Sequence, residues 1–277
     1  MTFFFKKSPS NHSLKSLFKT IQSNNLAEVK KIIKHCPYFI NAKIDEYMTP
    51  LKMAAHCGNL DIVKFLVEKG AEVYSNPMSS YPAVMDAAWN KQEAIVDYFL
   101  HEIPEKAIGT NDLGVMINLA ARQGWTEIVK KHIEKDPLAV HQRGWIGDTP
   151  LHWPCHNGYD EIVNLLIENG ADIEADEINW IGGKPLHWAS EHAPSTTKIL
   201  LDHGAMVNSR NERVGSPCYG RTPLIHNATQ RDDCSEITEM LLSAGADASA
   251  IDEEGKTALQ WAQEKKNTKI MSVLKVA

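Results

Sequence analysis

The sequence predicts an all-α solenoid: about eight helix-turn-helix units with hairpin-like fingers between them. Three observations carry that prediction. Apolar markers at Leu17, Leu51, Val84, Ile117, Leu151, Leu186, Leu224 and Leu259 recur at intervals of 33 to 38 residues, a period that fits one helical supersecondary unit. Behind the markers run stretches such as LDIVKFL (60–66), YDEIVNLL (159–166) and SEITEMLL (235–242), with apolar residues at i, i+3 and i+4, the stripe of an amphipathic helix. Gly70-Ala71, Gly170-Ala171, Gly204-Ala205 and Gly245-Ala246 then stand where a left-handed residue ends a helix.

The elements follow in chain order. Leu14, Leu17 and Phe18 form the inner face of an opening cap helix. Thr149-Pro150-Leu151 and Thr222-Pro223-Leu224 each place a capping hydroxyl before a proline suited to the first helical turn, and Thr49-Pro50-Leu51 is a looser copy of the same start. The pairs Ala54-Ala55, Ala87-Ala88 and Ala120-Ala121 supply the small residues that let neighbouring helices approach. The unit at Val84 has neither Thr-Pro-Leu-His nor Gly-Ala-Asp, so the third and fourth units are expected to be distorted. Residues 205–223 are longer than the other connectors and contain Gly215, Pro217 and Gly220, which predicts an inserted loop that proteases cut first. Ile270, Val273 and Leu274 close the array. No unit of this size buries its apolar face alone, so one continuous core and a single domain over residues 14–277 are expected, behind a basic tail at 1–13.

Asp148-Thr-Pro-Leu-His-Trp153 with Glu168-Asn-Gly-Ala-Asp172, and Pro185-Leu186-His187-Trp188 one period later, resemble the ankyrin repeat family over roughly residues 14–277. The resemblance implies a right-handed stack of helix pairs whose Thr-Pro-Leu-His histidine, here His152 and His187, hydrogen-bonds the backbone of the connecting turns. It also implies a scaffold that binds another protein through its concave face, its finger tips and the variable pairs after the alanines. Those pairs are His56-Cys57, Trp89-Asn90, Arg122-Gln123, His156-Asn157, Glu191-His192 and Thr229-Gln230.

Composition narrows the function. With 43% hydrophobic and 23% charged residues the chain can fold, and its net charge of −6 conceals a basic start followed by an acidic remainder. Residues 144–183 contain eight Asp or Glu and no Lys or Arg, which argues against nucleic acid. No apolar run is long enough for a membrane span. Five widely spaced cysteines without a CxxC pair point to a reducing compartment. A cytoplasmic monomer without a cofactor is therefore expected. The lysine- and asparagine-rich wording resembles bacterial ankyrin proteins, some of them translocated effectors acting in a host cytosol.

Two chemical alternatives compete with a scaffold. His152, Cys155 and His156 lie within five residues at spacings that would suit zinc, but the resemblance gives His152 a structural role and Cys155 reads as a small core residue. Cys218 lies between His203 and His226 in sequence, without any local catalytic signature. No catalytic, cofactor or metal residue is therefore assigned. The aromatic signal is stronger. Trp145-Ile146-Gly147 returns as Trp180-Ile181-Gly182 just before two successive repeats, placing both tryptophans at or near neighbouring finger tips. With Trp153 and Trp188 they form an acidic, aromatic patch suited to a partner bearing Arg or Lys.

Overall fold

The computed structural model describes residues 13–73, 82–103, 113–144, 146–230 and 234–276. Its contacts group the chain into two compact units, 1–111 and 112–277, each described by itself. The basic tail at 1–12 and Trp145 lie outside the described residues.

Among the described residues of the first unit there are six α-helices: α1 (Leu14–Gln22), α2 (Leu26–His35), α3 (Pro50–Cys57), α4 (Leu60–Glu68), α5 (Ala83–Trp89) and α6 (Glu93–Asp97). One row of helices packs α1 on α3 and α3 on α5; a second packs α2 on α4 and α4 on α6. Ala54, Ala55, Ala87 and Ala88 are fully buried where α3 meets α5, as the small pairs predict. α3 is capped by Thr49, which accepts the Lys52 N–H at 3.3 Å with Pro50 in the first turn. The expected distortion in the third unit is present, because α6 runs into a π-helical turn at Tyr98–Glu102.

The second unit contains α7 (Leu113–Gln123), α8 (Thr126–Lys135), α9 (His152–Asn157), α10 (Asp160–Glu168), α11 (Pro185–Ala189), α12 (Pro194–Asp202), α13 (Pro223–Ala228), α14 (Ser235–Ser243), α15 (Ala258–Lys265) and α16 (Thr268–Leu274). The inner row runs α7, α9, α11, α13, α15 and the outer row α8, α10, α12, α14, α16. Gly170 and Gly245 end their helices with φ of 86° and 90°. Thr222 caps α13 through the Ile225 N–H, but Thr149 departs from expectation. Pro154 has no N–H to give the Pro150 carbonyl, so α9 starts late at His152, and the Thr149 hydroxyl faces His152 Nδ1 at 2.9 Å instead.

The connectors are irregular, with 3-10 turns at Pro37–Phe39 and Pro137–His141 and no strand among the described residues. Backbone bonds close the fingers, from Gly144 N to Asp148 O, from Glu177 N to Gly183 O, from Asn211 N to Arg221 O with a second from Gly220 N to Asn211 O, and from Asp252 N to Lys256 O. The 205–223 insertion corrects the sequence reading: it is tied down rather than loose. Arg213 donates to the Trp180 and Ile178 carbonyls, and Asn211 and Ser216 both donate to the Ile181 carbonyl. Among the described residues no helix is long and apolar enough to cross a membrane.

Candidate functional site

The site is built on the fingers and inner helices of the second unit. His152 and His187 fix it. Thr149 donates its backbone N–H to His152 Nδ1 at 3.0 Å, leaving Nε2–H to reach the Gly183 carbonyl of the next finger at 3.3 Å. His187 repeats the arrangement with Lys184 N–H and the Arg221 carbonyl at 3.2 and 3.0 Å. Burial holds both imidazoles neutral, pushed down to about 4 and about 3. His152 is thus committed to backbone, and burial pushes the Cys155 thiol well up. The His152, Cys155, His156 trio is therefore no ligand set.

The finger that carries Trp180 is shaped by a buried carboxylate. Glu177 accepts the N–H groups of Asn179, Trp180 and Gly182. Gly182 has φ of 75°, and a Cβ there would lie 2.6 Å from Arg213 Cβ; Gly147 similarly lacks room against Ile178. The repeated Trp-Ile-Gly tripeptide is thus partly a packing device. Ile146 and Ile181 are half-buried and work through their carbonyls, Ile146 accepting the Asn179 N–H at 2.9 Å.

Trp180 is 50% exposed, as a finger-tip anchor requires, yet it stacks on Trp153 with ring centroids 6.2 Å apart and planes at 23°. Trp188 is buried and meets Trp153 and Trp180 edge-on at 5.1 and 6.0 Å. Arg122 lies 3.8 Å over the Trp153 ring, so Trp153 already has an internal cation. Among the variable pairs, Asn157 donates to the Arg122 carbonyl at 3.0 Å while Gln123 is half-buried. Trp89 and Asn90 lie in the first unit, Trp89 at 48% exposure and Asn90 held against His56 Nδ1 and the Asp86 carbonyl.

Beside the tryptophans the sequence-named His156 and Glu191 join a polar chain to His226, a link that sequence reasoning missed. Glu191 Oε2 accepts from His156 Nδ1 at 2.9 Å and Oε1 accepts from the buried His226 Nε2 at 2.7 Å. Burial works against the Glu191 carboxylate, but the hydrogen bonds and charges of the two histidines outweigh it and hold the group well below the usual range. Burial also opposes the His226 imidazolium. Its hydrogen bonds and charge interactions with Cys218 and Glu191 prevail, pushing it up to about 9. The Cys218 thiol is pushed up by burial, yet His226 and Arg221 bring it below its ordinary value. Cys218 and His226 are therefore neighbours, whereas His203 is exposed and turned to the Ile199 carbonyl. His192 is exposed, with its ring edge-on to His156 at 4.4 Å. The missed signal was alignment: Trp153, Trp188, His226 and Trp261 all stand two residues past their markers.

A family model of ankyrin repeats in three copies matches residues 17–112, 84–177, 117–211 and 186–276. The chain is 26% identical over 234 residues to ankyrin repeat protein nuc-2 of Neurospora crassa, covering 81% of this chain and 20% of that protein. It is 31% identical over 124 residues to the B-cell lymphoma 3 protein homolog of Mus musculus, covering 45% and 26%. Against transient receptor potential cation channel subfamily A member 1 of Homo sapiens it is 24% identical over 255 residues, covering 92% and 20%. The chain thus spans about a quarter or less of the length of these curated relatives. Repeat period, helix pairing, histidine-pinned fingers and the match along most of its length agree: the chain belongs to the ankyrin repeat family.

Proposed function

We propose that this chain is a non-enzymatic protein-protein interaction scaffold whose recognition surface is the rim formed by Trp180, Arg122, His156, Asn157, Glu191 and His192. Residues 14–277 act as one monomeric domain behind the basic tail, in a reducing cytoplasm in keeping with its five free cysteines. The observation that carries the reading is Trp180: a large aromatic ring, half in solvent, held rigid on Trp153 and over a finger locked by Glu177. A pre-organised aromatic loses little entropy on binding. Asp176, Glu177, Glu212 and Arg213, with the exposed Ile178 and Val214, line a groove between the fingers. Arg213 is held by the Trp180 and Ile178 carbonyls and Asp176 pairs with Lys184, which leaves Glu212 and the apolar pair for a partner protein presenting Arg or Lys beside an apolar side chain.

Selection of a displayed peptide library on the full chain tests this. Selected binders should be rich in Arg or Lys and should weaken about thirtyfold on Trp180→Ala, roughly 2 kcal/mol, with the melting temperature changed only slightly. Binders indifferent to Trp180→Ala would place recognition elsewhere.

A further inference from the structure

The geometry points to a binding site for a divalent transition-metal ion of the zinc type, held by His156, Glu191 and His192. One donor atom from each of the three residues lies within 4.8 Å of the others. Donors around a tetrahedral zinc ion stand about 3.4 Å apart, given metal-ligand distances near 2.1 Å. Closing the set therefore needs movement of about an ångström, which the exposed His192 side chain can supply.

Three further features favour this site over a chance cluster. The ligands come from two neighbouring repeats, His156 from the end of α9 and the other two from just beyond α11, so the backbone of both units sets their spacing. Glu191 is anchored from behind: Oε1 is held by the buried His226 at 2.7 Å, leaving Oε2 on the side of His156. Such an outer partner orients a metal-binding carboxylate. The His156 ring is also steered, meeting Trp153 and Trp188 edge-on at 5.7 and 6.1 Å. Two imidazoles and one carboxylate suit zinc, cobalt or nickel better than calcium or magnesium. The acidic stretch at 144–183 raises the local cation concentration. Three protein ligands leave a fourth position for water, the pattern of an open rather than a closed structural site.

The inference does not rest on the recognition reading, since metal binding is measured on the chain without a partner. Zinc titration of the metal-free full-length protein against a chromophoric chelator, at neutral pH, tests it. One equivalent should bind wild type, with affinity at least tenfold lower in His192→Ala and in Glu191→Gln. His203→Ala, an exposed histidine outside the cluster, should match wild type. Cobalt gives a second readout: intense visible d–d absorption in wild type, lost in His192→Ala, reports a tetrahedral ion at this site. No stoichiometric zinc, equal affinity in wild type and His192→Ala, or only the weak absorption of octahedral cobalt would each overturn the assignment.

Discussion

The two units share one period and tie the bases of their connectors alike, yet they anchor their fingers differently. Asn41 accepts the Glu72 N–H at 2.8 Å in the first unit, as Glu174 accepts Met206 N–H and Asn208 accepts Asp247 N–H in the second. Beyond the base they diverge. Lys52 stands where the second unit has His152 and His187, and Lys43 bonds the Glu46 carbonyl of its own finger. The equivalent Arg143 and Arg210 reach across to the Asp176 and Ile251 carbonyls of the next finger. A planar guanidinium can serve two carbonyls at once, and Arg143 does so with Gly147 and Asp176. An imidazole with one accepting and one donating nitrogen likewise joins two fingers. The lesson is that helix pairing follows the apolar period, whereas finger rigidity depends on a few bifunctional polar side chains.

The largest effect should come from removing the carboxylate that shapes the Trp180 finger. Glu177→Ala leaves the Trp180 and Gly182 N–H groups without their acceptor, Asn179 keeping the Ile146 carbonyl, a loss of about 2–6 kcal/mol at roughly 1–3 kcal/mol for each unsatisfied donor. Hydrogen exchange should show lost protection at 179–182 with α1 to α4 unchanged.

Acid should separate the units next. His152 and His187 bind protons less readily folded than unfolded, so their contribution is complete above about pH 6.5 and is lost as pH falls toward about 4 and about 3. At pH 5 each costs on the order of 2 kcal/mol. Asp148, raised by burial to about 6, and His226, raised against its burial to about 9 by Cys218 and Glu191, carry the opposite sign and return about 1 kcal/mol each, less than the two buried histidines lose. In the first unit Asp86, also raised by burial to about 6, gains stability over the same interval. Hydrogen exchange at pH 7 and pH 5 should therefore find the second unit weakened and the first not; uniform loss would break the comparison.

Arg213→Ala should cost about 1–2 kcal/mol, since it frees two carbonyls and releases the insertion. Limited proteolysis should cut this variant first within 212–216, while wild type resists there. The smallest effect concerns Lys91, whose φ of 58° is left-handed where Gly58 and Gly158 occupy the corresponding turns. Lys91→Gly should raise the melting temperature slightly, by the equivalent of about 0.5–1 kcal/mol.

Much of the fold was legible because repetition exposes it: markers, alanine pairs, glycine stops and the two structural histidines all recur in register. What stayed hidden depends on geometry between periods. Glu177 reads as one acid among eight in its stretch, and only the folded finger turns three amides toward it. The length of 205–223 suggested looseness, because nothing local says that Arg213 and Ser216 meet the carbonyls of residues 178–181. Glu191 and His226 lie 35 residues apart in different repeats, so their pairing appears only when the columns are aligned. Trp180 was placed correctly at a finger tip, but its stack on Trp153 and the Arg122 guanidinium over that ring depend on side-chain directions that spacing does not give.

The most direct test of the recognition surface is a double-mutant cycle by isothermal titration between Trp180→Ala and replacement of the anchoring Arg or Lys in a selected peptide. A coupling energy above about 1 kcal/mol, with affinity falling as salt rises, is the result expected for a cation held at this rim. Independent, additive losses with no salt dependence would contradict it.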